Sequence, residues 1–120
     1  MVYTDFTPAD LAQQFELDFQ AATLFPDCPP LAASAWLTET LARAQRLGYV
    51  SEKSRSERLV SPILAELSSR NRDAFAIISG ASLDIDPGHG LNGECDFILS
   101  LMRLQDLVRT SIFCITEAKE

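Results

Sequence analysis

Apolar positions recur at helical spacing through the first half of the chain and at strand spacing through the second. Between Thr7 and Gly48 the pattern predicts two helices. Thr7-Pro8-Ala9-Asp10 offers an N-cap hydroxyl, a proline at the first helical position and an acid in the first turn. Leu11, Phe15, Phe19 and Ala22 then fall on one stripe. Phe25-Pro26-Asp27-Cys28-Pro29-Pro30 stops that helix, because proline lacks a backbone donor and clashes with the preceding turn. A second helix is expected over about 31–47, with Trp36, Leu37, Leu41 and Leu47 on its apolar side and Gly48 as its stop.

A third helix is expected over 51–70, where Leu59, Val60, Ile63, Leu64 and Leu67 share a face. Ser54-x-x-Glu57 matches a capping box near its start. Pro62 lies inside this pattern and implies either a bend or a later helix start near Val60.

Beyond Asp73 the period changes to two, or to continuous apolar runs. Residues 74–85 read as a strand interrupted at Gly80, and Asp86-Pro87-Gly88-His89-Gly90 as a turn. Residues 94–101 read as a second strand that pairs with the first as a hairpin. The stretch 102–110 fits a connector or a short helix equally well. Residues 111–118 read as a third strand, apolar enough to be central and buried on both faces. The expected fold class is α/β in the mixed α+β sense: a short, mostly antiparallel sheet with helices packed on it.

Length and composition narrow this picture. At 120 residues and 47% hydrophobic content, one domain with a real core is expected and global disorder is excluded. Within it, 1–50 forms a helical N-terminal extension and 51–120 the core. The net charge of −7 excludes a general nucleic-acid coat, which needs excess Lys and Arg to neutralise phosphates. Residues 1–50 carry six acids against Arg43 and Arg46, whereas 51–120 carry 11 acids against 8 bases. A metal-dependent site in the second half is compatible with that balance. Cys28, Cys95 and Cys114 are odd in number and widely spaced, so neither a disulfide framework nor a zinc site is expected. With no signal-peptide pattern and no run of about 18 apolar residues, a cytoplasmic location is expected, with no membrane partner.

Three charged residues sit where the strands call for apolar ones. Asp96 interrupts Cys95-Phe97-Ile98-Leu99, and Glu117 and Lys119 follow Ile112-Phe113-Cys114-Ile115-Thr116. Burying such groups is costly unless they are paired or bind a metal. Strand alternation puts Glu117 and Lys119 on one face, and a neighbouring strand can bring Asp96 to it. Two carboxylates and a lysine are the minimal hardware for phosphodiester hydrolysis. The carboxylates suit Mg²⁺, a hard cation that prefers oxygen ligands. The lysine can orient water or balance charge in the transition state.

Gly93-Glu94-Cys95-Asp96-Phe97-Ile98-Leu99 followed by Ile115-Thr116-Glu117-Ala118-Lys119 resembles the PD-(D/E)XK nuclease superfamily. The stretch Leu91-Asn92-Gly93-x-Cys95-Asp96-Phe97, with a later strand ending Glu-Ala-Lys, looks like an uncharacterised bacterial branch of it. The resemblance covers 51–120 and implies a restriction-endonuclease-like core of helix, three-strand meander, helix and last strand. The last helix and strand are missing from this chain, so a core truncated after the E-x-K motif is expected, with completion by another chain or a homodimer through the open sheet edge. The resemblance assigns Asp96 and Glu117 as Mg²⁺ ligands, Lys119 to the motif lysine and Glu57 to the accessory acid of the helix, with Glu52 in reserve. It implies metal-dependent hydrolysis of nucleic acid. The alternative is a catalytically inactive relative that serves as a binding or assembly module.

Other candidates have plainer readings. Glu57 is also the return partner of the capping box. His89 reads as a loop residue, and Asp84-x-Asp86 lacks the other ligand positions of a calcium loop. Trp36, Phe15 and Phe19 read as core or interface anchors. Lys53, Arg55 and Arg58 form a basic cluster, either a solvated face or the local phosphate contact.

Overall fold

The computed structural model describes residues 2–72, 74–101 and 112–118. The fold is mixed α and β, with helices before a three-stranded antiparallel sheet. Two compact units emerge: Met1–Ala32 with Asp84–Gly93, and Ala33–Leu83 with Glu94–Glu120. The region 102–110, left between connector and helix by the sequence, lies outside the described residues, and so does Lys119. Among the described residues no helix is long and apolar enough to cross a membrane.

In the first unit, α1 spans Pro8–Phe15. Thr7 caps it: its hydroxyl accepts the Asp10 amide at 3.2 Å and the Asp10 carboxylate accepts the Thr7 amide at 2.8 Å. The expected continuation through Phe19 and Ala22 does not form. Glu16 closes the helix in the left-handed conformation (φ 55°), and the Asp18 carboxylate accepts the Phe19 amide, a local bond that competes with helix. Leu17, Phe19 and Leu24 are exposed, so no packing rewards extending the stripe. Phe6 and Phe15 pack edge to face at 5.7 Å between ring centroids. The Tyr3 amide donates to the Asn92 carbonyl at 2.9 Å. The Tyr3 ring also lies 3.0 Å from where a Cβ on Gly93 (φ 154°) would stand. That glycine is therefore required by both space and backbone.

In the second unit, α2 (Ala35–Leu47) starts at Ser34, whose hydroxyl accepts the Leu37 amide at 3.1 Å. Gly48 ends it at φ 82°, as the sequence predicted. Its buried stripe is rotated from the expected one. Leu37 and Ala44 are buried, whereas Trp36 and Leu47 are 54% and 68% exposed.

The third helical stretch is continuous but not uniform. It comprises α3 (Glu52–Arg55), a π-turn (Ser56–Val60) and α4 (Ser61–Arg70), with right-handed helical backbone across both junctions. The Ser61 amide reaches back five residues to the Ser56 carbonyl. Pro62 explains the widened turn: it cannot donate to Arg58 in the α register, and its ring would crowd that carbonyl. The extra residue per turn breaks the expected one-face stripe. Leu64 is buried, while Ile63 and Leu67 are exposed.

The sheet is a meander in the order β1 (Ala76–Ser82), β2 (Glu94–Ser100), β3 (Ile112–Thr116), antiparallel throughout. The hairpin stands as predicted, but the expected break at Gly80 does not form: β1 runs through Gly80 and the ladder keeps step on either side, pairing Ser79 with Phe97 and Ala81 with Cys95. The expectation that the third strand is central is overturned. β2 is the central strand, with Phe97, Ile98 and Leu99 at 3%, 0% and 4% exposure. β3 alternates instead, with Ile112, Cys114 and Thr116 half-buried and Phe113 and Ile115 exposed. The core gathers Leu64 of α4 with Phe97 and Leu99 of β2, flanked by Val60, Phe75, Ile77 and Cys114.

Candidate functional site

Antiparallel pairing of β2 with β3 sets Phe97 against Thr116. The next step along that register puts Asp96 against Glu117, just past the end of β3. Residues opposite each other on antiparallel strands project from the same face. The two residues are joined by an exchange of backbone bonds. The Asp96 amide donates to Glu117 Oε1 at 3.3 Å, and the Ala118 amide donates to Asp96 Oδ2 at 2.8 Å. Ala118 is buried at 4% exposure, which anchors the chain immediately after Glu117.

Asp96 lines a cleft of about 470 Å³, whose lining does not include Glu117. The helix contributes Glu52, Lys53, Ser56, Glu57 and Ser61; the sheet contributes Ser79, Gly80, Glu94, Asp96 and Phe97. Both helix acids weighed from the sequence therefore face the same cleft as Asp96. The capping reading of Glu57 is overturned. Ser51 is the N-cap, and its return partner is Ser54: each hydroxyl accepts the other's amide, at 3.1 and 3.0 Å. Among the described residues the Glu57 side chain makes no hydrogen bond or ion pair.

Glu94 was not singled out from the sequence, although it stands two residues before Asp96 on β2 and so on the same face. Its carboxylate extends over Gly80: a Cβ there would meet Glu94 Oε1 at 3.7 Å. Gly80 holds φ at +61°, and the register sets it opposite Asp96. The signal in the sequence was the i, i+2 pairing of two acids next to a strand glycine.

The carboxylates leave an electrostatic mark on Cys95. Burial is the first cause pushing that thiol above its ordinary value, followed by the negative charge of Glu117, Asp96 and Glu94. All three carboxylates thus act on one point of β2.

The donor set fits Mg²⁺. Asp96 and Glu117 offer hard oxygens, and each accepts one backbone amide, so lone pairs remain on both carboxylates. Mg²⁺ is commonly held by one or two carboxylates together with water and substrate phosphate, not by an all-protein cage. Among the described residues no three Asp, Glu, His or Cys side chains are grouped to ring a metal.

Other candidates fall elsewhere. His89 is exposed in the β1–β2 connection, where its Nδ1 lies 2.7 Å from Asp86 Oδ2. Arg58 is engaged with backbone, donating to the Leu47 and Gly48 carbonyls at 3.4 and 2.8 Å. Trp36 borders a separate cavity of about 450 Å³ with Ser34, Ala65, Glu66, Ser69 and Arg70. No protein-family model matches the chain, and no curated protein or solved structure is significantly similar to it.

Proposed function

We propose that this protein is a Mg²⁺-dependent phosphodiesterase acting on nucleic acid, with a restriction-endonuclease-like core. The observation that carries this reading is the juxtaposition of Glu117, through main-chain hydrogen bonds, with Asp96, which lines an acid-rich cleft.

Asp96 and Glu117 would hold the metal. Bound there, Mg²⁺ supplies Lewis acidity toward a phosphoryl oxygen and a lowered pKa for an attacking water. The amides of Asp96 and Ala118 fix the two carboxylates in place, so little ordering remains to be done when substrate arrives. Glu57, without a partner among the described residues, serves as an accessory acid that accepts a proton from water or orients it. Lys119 keeps the role the resemblance implies, orienting water or balancing transition-state charge. The acidic lining favours a polyanion only once a cation is bound, which makes metal a precondition for substrate entry.

The test is cleavage of plasmid DNA and of labelled RNA with Mg²⁺, Mn²⁺ or chelator, using wild type, Asp96→Asn and Glu117→Gln. Metal-dependent cleavage that falls on the order of 100-fold or more in each variant supports the reading. Cleavage indifferent to both substitutions, or none in wild type with either metal, overturns it.

A further inference from the structure

Three bases open the third helical stretch, and the structure separates them. Arg58 is engaged with the carbonyls that end α2. Arg55 is not among the residues lining the cleft, whereas Lys53 is. Lys53 shares that cleft with four carboxylates, yet forms no ion pair among the described residues. Glu57 follows it by four residues, but a lysine N-terminal to a glutamate at that spacing is the weaker orientation for pairing. An exposed ammonium is thus left at the lip of an otherwise acidic cavity.

We propose that Lys53 is the phosphate-contacting cation of the cleft, donating to a non-bridging oxygen of a nucleic-acid backbone while the carboxylates hold the metal. This rests on the phosphodiesterase reading and adds to it a named substrate contact. A cavity lined by four carboxylates repels a phosphate, and a metal held by Asp96 and Glu117 offsets only part of that charge. An ammonium at the entrance supplies a point charge of the needed sign, the way lysine commonly meets phosphate. It carries no sequence information, so it contributes affinity and register without specificity. The competing role is internal: Lys53 merely relieves repulsion among the carboxylates.

The two roles predict different measurements. Binding of a fluorescein-labelled DNA duplex is followed by anisotropy across a salt series, with Ca²⁺ replacing Mg²⁺ to hold the complex without turnover. Mg²⁺ binding alone is followed by calorimetry. Lys53→Ala is expected to weaken duplex binding about 10-fold and to reduce the salt slope by about one. Lys53→Arg is expected to keep the slope, and Mg²⁺ binding is expected to persist in both variants. Duplex affinity and slope unchanged in Lys53→Ala, with Mg²⁺ binding tightened, would assign Lys53 the internal role and overturn the proposal alone. No Mg²⁺ binding, or no duplex binding, by wild type overturns the phosphodiesterase reading and this contact with it.

Discussion

Asp96 and Glu117 are tied to each other through main-chain donors. The Asp96 amide donates to Glu117 Oε1, and the amide after Glu117 donates to Asp96 Oδ2. Two like charges held side by side repel, and each amide dipole offsets part of that cost. The arrangement orients both carboxylates near the start of the central strand. It also places the pair where β3 leaves the sheet, so the geometry depends on the Phe97–Thr116 register.

Glu57 reaches the cleft from a π-turn that Pro62 imposes. Pro62→Ala restores a donor and permits an ordinary α register. The variant is expected to be more stable by about 1 kcal/mol or more in urea unfolding, because proline is the costliest residue in a helix interior. It is also expected to lose metal-dependent activity, since Glu57 would turn away by about one residue's rotation. A destabilised variant would show that the π-turn is favoured by its surroundings and not forced by Pro62.

Glu66 is buried in α4, where it accepts hydrogen bonds from the Ser34 hydroxyl and, at 3.1 Å, the Ser34 amide. The Ser34 hydroxyl holds its carboxyl below the ordinary value of 4.5, with Arg70 adding a smaller pull. A depressed folded pKa stabilises the protein above the unfolded value, and that stability is lost as pH falls through the folded one. Ser34→Ala is therefore expected to cost about 1 kcal/mol at neutral pH through the lost cap. It is also expected to flatten the fall in melting temperature below pH 4.5. Parallel acid limbs in variant and wild type would contradict the coupling.

How far the sequence reached is seen in particular residues. The strands, the hairpin, the Gly48 stop and the pairing of Asp96 with Glu117 were legible because period-two patterning and register are local signals. The end of α1 was not. Phe19 and Ala22 continue the stripe, but a stripe forms a helix only where something covers it. Pro62 announced a disturbance without saying that a π-turn would absorb it, so the faces of Ile63, Leu67 and Glu57 shifted by one residue. The order of strands was likewise hidden: β2 and β3 are both apolar, and burial on both faces depends on neighbours that composition does not name. Glu94 was missed because an exposed acid at a strand start is ordinary until a glycine across the sheet leaves it room.

Cys95 reports on the acidic cluster. Its thiol is raised by burial first and then by Glu117, Asp96 and Glu94. A raised folded pKa gives stability that is full below the unfolded value and declines as pH rises through the folded one. In a Cys28→Ser, Cys114→Ser background, Asp96→Asn and Glu117→Gln are each expected to lower the thiolate midpoint measured by ultraviolet absorbance. The shift should be partial, because burial remains. A midpoint unmoved by both substitutions together would show that the carboxylates do not act on β2 at this point.

The most direct measurement is calorimetric titration of Mg²⁺ into wild type and Asp96→Asn, with circular dichroism to confirm that both are folded. The account predicts a saturable, single-site signal in wild type that disappears in Asp96→Asn while the fold is retained. Absence of binding in wild type, or binding of equal strength in the folded variant, would contradict it.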